Sequence, residues 1–289
     1  MIISSTPQQA QPLKQAAKNA GKEECITVLT DAMKNGETIF IKVHAAEALI
    51  FNNYYTGIDE TFQKLVKEPG TQIIATRVLA RTNKNEPKKY KTYITTLLYQ
   101  LENADSVRGK LIALESLAKL GFSHPLPIIK NHADTGTGGF KAMARWVLAN
   151  SGKADDETKL AALLTSNDPA DYRSAAYALR FFKKVKPATI PLLIACANRV
   201  EKDNPARVYV ISSLFVHGPT AAVRNDTKTK LLAYLTGAVA EKYEVAEALA
   251  VAGTKADITS LKQLLNDENT DVRVAAAKAL LSIQSRNKQ

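Results

Sequence analysis

One short pattern recurs along the 289 residues and constrains the fold more than any other feature of the sequence. Its clearest copy, DVRVAAAKAL at residues 271–280, has alanine three residues and leucine seven residues after Arg273. With Arg273 as position 0, equivalent positions recur every 30 to 38 residues, at Lys42, Gln72, Lys110, Lys141, Tyr172, Arg207 and Lys242. A period of this length predicts stacked copies of one supersecondary unit.

The residues at fixed places in this pattern share a chemical character. Position +7 is leucine in every copy, and positions +3 and +6 hold only alanine, valine or serine. These spacings lie on or beside one face of an α-helix, where small side chains let a neighbouring helix approach closely. Position +11 is glycine or asparagine in six copies, and both accept the left-handed backbone that ends a helix. These residues are Gly121, Gly152, Gly218, Gly253, Asn53 and Asn83.

Each of these helices follows a second apolar segment, so the repeating unit is a helix–turn–helix. We predict an all-α fold, an α-solenoid (an α–α superhelix) of about eight such units, because neither helix can bury its apolar face alone. The solenoid is expected to span residues 22–286 as a single domain. A polar lead-in at residues 1–21 precedes it, and a polar tail at residues 287–289 follows it.

The motif D-x-R-x-A-A-x-x-A-L, preceded by a helix with paired leucines, resembles a HEAT repeat. The frequent spacing of 31 residues resembles the short bacterial type, called phycobilisome-lyase HEAT-like, over nearly the whole chain. The resemblance implies stacked helix pairs whose second helices line a concave binding surface. Some bacterial proteins of similar fold are DNA alkylpurine glycosylases, which rely on groove tryptophans and an acidic residue. This chain has a single tryptophan, Trp146, and Asn150 lies one turn after it.

Positions +5 and +9 of the second helices are expected to face that groove. Position +5 reads Glu47, Arg77, Glu115, Trp146, Tyr177, Ser212, Glu247 and Lys278. Position +9 begins Phe51, Arg81, Lys119, Asn150 and Phe181. Because aromatic residues and arginine are typical of binding hot spots, we predict a partner-binding site in the middle repeats. Its residues are Arg81, Arg145, Trp146, Arg173, Tyr177 and Arg180.

The same residues have a structural alternative. In that case Trp146 fills a gap between layers, and the arginines are solvated. The basic residues at position 0 are themselves expected to be structural. Their aliphatic stems would pack on neighbouring repeats, and their charged heads would meet carbonyl or carboxylate oxygens.

The sequence favours no catalytic, metal or cofactor site. The four histidines fall in different repeats, and only His44 has a plausible groove position. Cys25 and Cys196 lie in separate apolar segments, which favours buried free thiols. Residues 132–139, HADTGTGG, contain three glycines. They lack the preceding strand and the Lys-Ser/Thr ending of a phosphate loop, so we predict a flexible connector there.

We therefore predict a non-catalytic scaffold that binds another protein through the concave groove, as a monomer. The alternative is binding of nucleic acid or another polyanion, which a net charge of +11 and a pI near 9.5 permit. No run approaches the roughly 18 apolar residues of a membrane span. Residues 1–12 lack the basic start and apolar core of an intact signal peptide. An exported protein whose signal had been removed would look the same, so the compartment stays open.

Overall fold

The computed structural model describes residues 7–68 and 70–286. Sixteen α-helices joined by short turns account for most of these residues, and none of them forms a β-strand. The predicted all-α fold of repeated helix–turn–helix units is therefore confirmed.

The helices alternate along the chain between an outer and an inner layer. The outer helices are α1 (Pro7–Asn35), α3 (Ile58–Leu65), α5 (Pro87–Asn103), α7 (Pro127–Thr135), α9 (Ala154–Ala162), α11 (Thr189–Arg199), α13 (Ala221–Leu232) and α15 (Ile258–Leu265). The inner helices are α2 (Ile39–Phe51), α4 (Gln72–Thr82), α6 (Val107–Lys119), α8 (Gly138–Ala149), α10 (Pro169–Arg180), α12 (Arg207–His217), α14 (Val239–Ala252) and α16 (Thr270–Arg286). Short 3-10 turns at Leu163–Thr165, Ala233–Thr236 and Lys255–Asp257 extend or precede outer helices.

Polar side chains fix where several helices begin. Thr38, Ser106 and Thr220 each accept a hydrogen bond from the backbone N–H three residues further on. These bonds satisfy donors that the first turn of a helix leaves without a partner. They set the starts of α2, α6 and α13.

The predicted stop signal at position +11 is correct in three of the six copies. Asn53, Gly121 and Gly152 have the left-handed backbone, with φ of 64°, 77° and 74°. The other three have negative φ, namely Asn83, Gly218 and Gly253. These three inner helices end without a left-handed residue. Glycine or asparagine at +11 therefore marks where a helix ends but does not determine the backbone conformation there.

Positions +3 and +7 form the core between the layers, as the pattern predicts. Every residue at +3 is fully buried, and the leucines at +7 are at most 8% exposed. Alanine or valine at +3 allows close approach, and leucine fills the remaining space between repeats. Truncating one of these leucines to alanine would cost about 2–5 kcal/mol.

Basic residues at position 0 tie inner helices to nearby turns. Lys110 Nζ donates to the Glu102 carbonyl at 2.9 Å, and Lys242 Nζ lies 2.8 Å from Asp267 Oδ2. Arg273 donates to the Asp267 carbonyl at 2.9 Å. The predicted structural role is confirmed for these three residues.

The eight repeats close into a ring. Each inner helix packs against the next, and α16 packs against both α2 and α1 as well as against α14. At this seam Asp271 Oδ1 lies 2.8 Å from His44 Nδ1, and Thr270 Oγ1 donates to Glu37 Oε1 at 2.8 Å. The predicted concave groove is thus the lumen of a closed ring. Closure also covers the apolar end surfaces that an open stack protects with capping repeats.

The first helix is longer than the sequence predicts. α1 begins at Pro7, so most of the predicted lead-in at 1–21 continues the helix of the first repeat. Residues 1–6 of the lead-in and the predicted tail at 287–289 lie outside the described residues.

The predicted flexible connector at residues 132–139 is instead a tight turn. α7 continues to Thr135 and α8 begins at Gly138, which leaves only Gly136 and Thr137 between them. Gly138 has φ of 51°, and its N–H donates to Asp171 Oδ1 at 2.9 Å. A contact with the following repeat therefore holds this glycine-rich turn in place.

Candidate functional site

Side chains at position +5 of the inner helices meet inside the ring. Glu47 accepts two hydrogen bonds from the Arg77 guanidinium, the shorter of which is 2.7 Å. The Tyr177 hydroxyl donates to Glu115 Oε1 at 2.6 Å. We call this set of side chains the +5 layer.

Several contacts at this level join inner helices that are not neighbours in the ring. The Tyr177 hydrogen bond runs from α10 to α6. Arg180 Nη1 lies 3.3 Å from Glu247 Oε2, which joins α10 to α14. The rings of His44 and Tyr243 are 5.1 Å apart and join α2 to α14. In each case another inner helix stands between the two that are joined, so the side chains must reach into the lumen to meet. Side chains therefore fill the lumen at the +5 layer.

An axial cavity of about 440 Å³ lies beside the +5 layer, toward the face of the ring where the inner helices end. We call this face the cavity face. Position +9, one turn beyond the +5 layer, supplies much of the lining. The full lining is His44, Glu47, Phe51, Arg81, Lys119, Tyr177, Arg180, Phe181, Phe182, Lys183, Tyr243, Glu247, Val251 and Lys278.

A second cavity of about 340 Å³ lies on the other side of the +5 layer. Its lining comes from four consecutive inner helices and consists of Leu111, Glu115, Gly139, Met143, Arg173, Ser174, Tyr177 and Tyr209. Tyr177 lines both cavities, and its hydrogen bond to Glu115 separates them.

The carboxylates of the axial cavity stay ionised although they are buried. Burial favours the neutral acid of Glu247, but Lys278 and Arg180 outweigh it and lower the pKa of Glu247 to about 2. The same balance holds for Glu47. Burial opposes its charge, yet Arg77 and other cations lower the pKa of Glu47 well below its usual range. Each acid is thus already matched by cations of the protein.

Arg180 is the most enclosed cation of the cavity wall. Its Nε lies 2.8 Å from Glu244 Oε1, and both side chains are buried. Burial alone would lower the pKa of Arg180, but Glu244 and Glu247 raise it, so the guanidinium stays charged. Burial raises the pKa of Glu244 in spite of Arg180. Removing Arg180 would therefore leave buried Glu244 without its main cation and Glu247 with Lys278 alone.

Large apolar side chains are exposed around the mouth of the axial cavity. Phe51, Phe181 and Val251 are 51%, 38% and 42% exposed, although each lines the cavity. Cations of the lining lie over the two rings. Lys278 Nζ is 5.1 Å from the centre of the Phe51 ring, and the Arg180 guanidinium is 4.6 Å from that of Phe181. The mouth therefore combines apolar contact area with positive charge.

The structure brings together three of the six predicted site residues. Arg81, Tyr177 and Arg180 all line the axial cavity, although they come from α4 and α10. Arg173 lies on the other side of the +5 layer and lines the second cavity with Tyr177.

The other two predicted residues do not line either cavity. Trp146 is 3% exposed, and its ring stacks on Phe181 at 5.0 Å between centroids. It supports the cavity wall from behind, in the gap-filling position that the sequence left as an alternative. Arg145, at position +4, turns away from the lumen and pairs with Asp134 of α7 at 2.9 Å.

Sequence reasoning left several lining residues out of the predicted site. Phe51, Lys119 and Lys278 occupy positions +9 and +5, so the repeat pattern already contained their signal. His44 has the groove position that the sequence assigned to it. Lys183 follows the end of α10 at position +11, which the pattern marked as the end of a helix and not as a position that faces the groove.

Two further classes of site find no support in the described residues. No group of histidine, cysteine and acidic side chains among them is arranged to hold a metal ion. Cys25 and Cys196 are free and buried, as predicted, and burial raises the pKa of the Cys25 thiol to about 12.

Among the described residues no helix has both the length and the apolarity that crossing a membrane requires.

Comparisons with known proteins place no family name on this chain. No protein-family model matches the sequence, and no curated protein matches it. Among solved structures, similar chains include three engineered proteins from the Northeast Structural Genomics Consortium. The first shares 19% identity over 91% of this chain and 84% of its own, with a TM-score of 0.33. The others share 19% and 18% identity over 80% and 90% of this chain, with TM-scores of 0.26 and 0.21. They cover 99% and 96% of their own lengths.

Proposed function

We propose that this protein is a non-catalytic scaffold that binds another protein at the mouth of the axial cavity. The observation that carries the proposal is the group of exposed apolar side chains, Phe51, Phe181 and Val251, beside cations of the lining. Aromatic residues next to buried arginine are typical of binding hot spots. Apolar side chains grouped at a cavity favour a partner more than scattered ones do.

The charge of the turns also favours the cavity face. Turns that follow inner helices carry Lys84, Lys153, Lys183, Lys184, Lys186 and Lys255 against Glu86 and Asp257. Turns that precede inner helices carry Glu37, Glu68, Asp105, Asp168, Glu201, Asp203, Asp267 and Glu268 against Lys67 and Lys202. Both faces contain starts of one helix layer and ends of the other, so compensation of helix dipoles does not explain this asymmetry. An acidic partner would be steered toward the cavity face.

The chemistry of the lining favours binding over catalysis. Among the described residues, His44 is the one histidine that lines the axial cavity, and no serine, threonine or cysteine lines the cavity beside it. The acids of the lining are held as ion pairs with arginine and lysine. The resemblance of the repeats to HEAT units agrees with this proposal, because stacked helix pairs commonly bind partners on the surface of their inner helices.

Site-specific photo-crosslinking tests the proposal. A photo-reactive amino acid placed at Phe181, on the cavity face, should give a discrete crosslinked protein in cells. The matched control is the same amino acid at Val107, which is exposed at the start of α6 on the opposite face. Equal crosslinking at the two positions, or none at Phe181, would contradict a protein-binding role for the cavity face.

Polyanion binding is the second candidate, favoured by exposed Lys183 and Lys184 on the cavity face. A nucleic-acid duplex is too wide for a cavity of about 440 Å³, so it would lie across the face. Binding of a DNA duplex should then weaken steeply with salt, with a slope that reports the number of phosphates contacted. Absence of binding at low salt would remove this candidate.

A further inference from the structure

The axial cavity is closed at its inner end. The +5 layer spans the lumen, and the Tyr177 hydroxyl bonded to Glu115 separates this cavity from the second one. A polypeptide that entered at the cavity face would meet this layer and could not pass through the ring. The cavity therefore suits a small molecule or the end of a chain, and its volume of about 440 Å³ is typical of small-ligand sites.

The axial cavity has a small net positive charge, because its cations slightly outnumber the acids that pair with them. The cations of the lining and of the +5 layer are Arg77, Arg81, Lys119, Arg180, Lys183 and Lys278. The acids that pair with them are Glu47, Glu115, Glu244 and Glu247. Lys183 forms no ion pair with the described residues. A small positive excess favours a monoanion such as a carboxylate over a phosphate dianion, which the nearby acids would repel.

Apolar walls flank this charge. Phe51, Phe181, Phe182 and Val251 line the cavity together with the rings of two tyrosines. An amino group would be repelled by the net charge, and an inorganic anion would leave these walls without a contact. The ligand that matches both features has a carboxylate joined to a flat or branched apolar group.

We infer that the axial cavity binds a carboxylate carried next to an aromatic or branched apolar group. Two sources present this chemistry, namely the carboxyl terminus of a protein chain and a free small organic acid. The inference rests on the proposed binding role of the cavity and names the group that is bound there.

Calorimetric titration of the full chain tests the inference with defined probes. The probes are N-acetyl-leucyl-phenylalanine as the free acid, its carboxyl-terminal amide, 3-phenylpropionate and phenyl phosphate. The free acid should bind at least about tenfold more tightly than the amide, because the neutral amide lacks the charge that strengthens a hydrogen bond from a cation. Phenyl phosphate should bind more weakly than 3-phenylpropionate. Trp146, the single tryptophan, stacks on Phe181 of the wall, so its emission gives an independent readout.

Two neighbouring lysines give a matched pair of variants. Lys183 lines the cavity, whereas Lys184 is exposed outside it, so K183E and K184E change the net charge of the protein equally. K183E should weaken binding of the acid about tenfold or more, and K184E should change it by no more than about twofold. Both residues are exposed, so neither variant should alter the thermal melt by circular dichroism.

The arms of the experiment separate the possible outcomes. Equal affinities for acid and amide, no saturable binding of any acid, or equal effects of K183E and K184E would overturn the inference. Tight binding of 3-phenylpropionate assigns the ligand to a free acid, whereas tight binding of the dipeptide alone assigns it to a chain terminus. Acid-selective binding without crosslinking at Phe181 would leave the inference standing and remove the protein partner. Crosslinking without acid selectivity would do the reverse.

Discussion

The two ends of the lumen are both lined by inner helices but have different chemistry. The axial cavity has exposed phenylalanines and several cations, whereas the second cavity is lined mainly by Leu111, Met143 and tyrosines around Arg173. Between them lies the +5 layer, in which charged groups are paired and enclosed. The charges of the layer are paired and enclosed, whereas groups beyond it are exposed, so the first set is expected to affect stability and the second to affect the proposed binding.

The largest difference in stability is expected between two variants, one that removes the enclosed Arg180 and one that removes the exposed Arg173. Arg180→Met keeps the apolar volume but leaves buried Glu244 without its ion-pair partner and Glu247 with Lys278 alone. We expect the free energy of unfolding to fall by about 3–5 kcal/mol. Arg173→Met, in the second cavity, changes an exposed residue and should alter it by no more than about 0.5 kcal/mol. Urea denaturation of both variants checks this, and similar losses would refute the distinction.

Acid should destabilise the ring through the +5 layer. The pKa of Glu247 is lowered from 4.5 to about 2, because Lys278 and Arg180 outweigh the effect of burial. Its contribution is therefore present above pH 4.5 and is lost as the pH falls toward 2, since only the unfolded chain binds a proton in that window. The loss is on the order of 3 kcal/mol for such a shift. Urea denaturation at several pH values measures it.

Glu247→Gln provides the control for this acid dependence. The variant should be less stable at neutral pH, and its stability should fall less steeply between pH 4.5 and 2. Parallel pH profiles for the variant and the original protein would show that Glu247 is not responsible.

A smaller loss of stability is expected for Tyr177, whose hydrogen bond separates the two cavities. Tyr177→Phe removes the 2.6 Å hydrogen bond to Glu115 and should cost about 1 kcal/mol of folding free energy. Tyr209→Phe is the matched control, because Tyr209 lines the second cavity and its hydroxyl donates no hydrogen bond to the described residues. Thermal or urea unfolding distinguishes them, and equal costs would assign the Tyr177 effect to general packing.

The smallest effect is expected at the seam of the ring. His44 and Asp271 are partly exposed and 2.8 Å apart. Asp271→Asn should cost less than about 1 kcal/mol, because polar pairs in contact with solvent contribute little. A much larger loss by urea denaturation would mean that this pair, rather than the apolar contacts of α16 with α1 and α2, holds the seam closed.

The sequence predicted the repeating part of the fold because each repeat obeys the same local rules. The helical spacing of leucine at +7 and of small residues at +3 predicts that these side chains are buried. Closure of the ring could not be predicted from the sequence pattern. It depends on the angle between successive repeats, which the pattern within one repeat does not determine. Residues that meet only through closure or through the lumen, such as His44 and Tyr243, were therefore not recognised as neighbours.

The candidate site was predicted in part for a related reason. Arg81 and Tyr177 occupy positions +9 and +5, so the repeat positions identified them, whereas Arg180, at +8, was predicted as a basic residue of the middle repeats. Trp146 also occupies position +5, but its large ring reaches sideways to Phe181 and is covered. Arg145 lies one residue before it and turns outward to Asp134. Helical position gives the direction of a side chain but not what already fills the space in front of it.

Closure of the ring has a consequence for how the number of repeats can vary. An open stack can gain or lose one unit with a change in length alone, since every junction keeps its angle. In a closed ring each junction contributes a fixed share of a full turn, so one unit more or fewer would misalign every other junction. Duplication or deletion of a whole repeat, which is harmless in an open stack, would here separate α16 from α1 and α2.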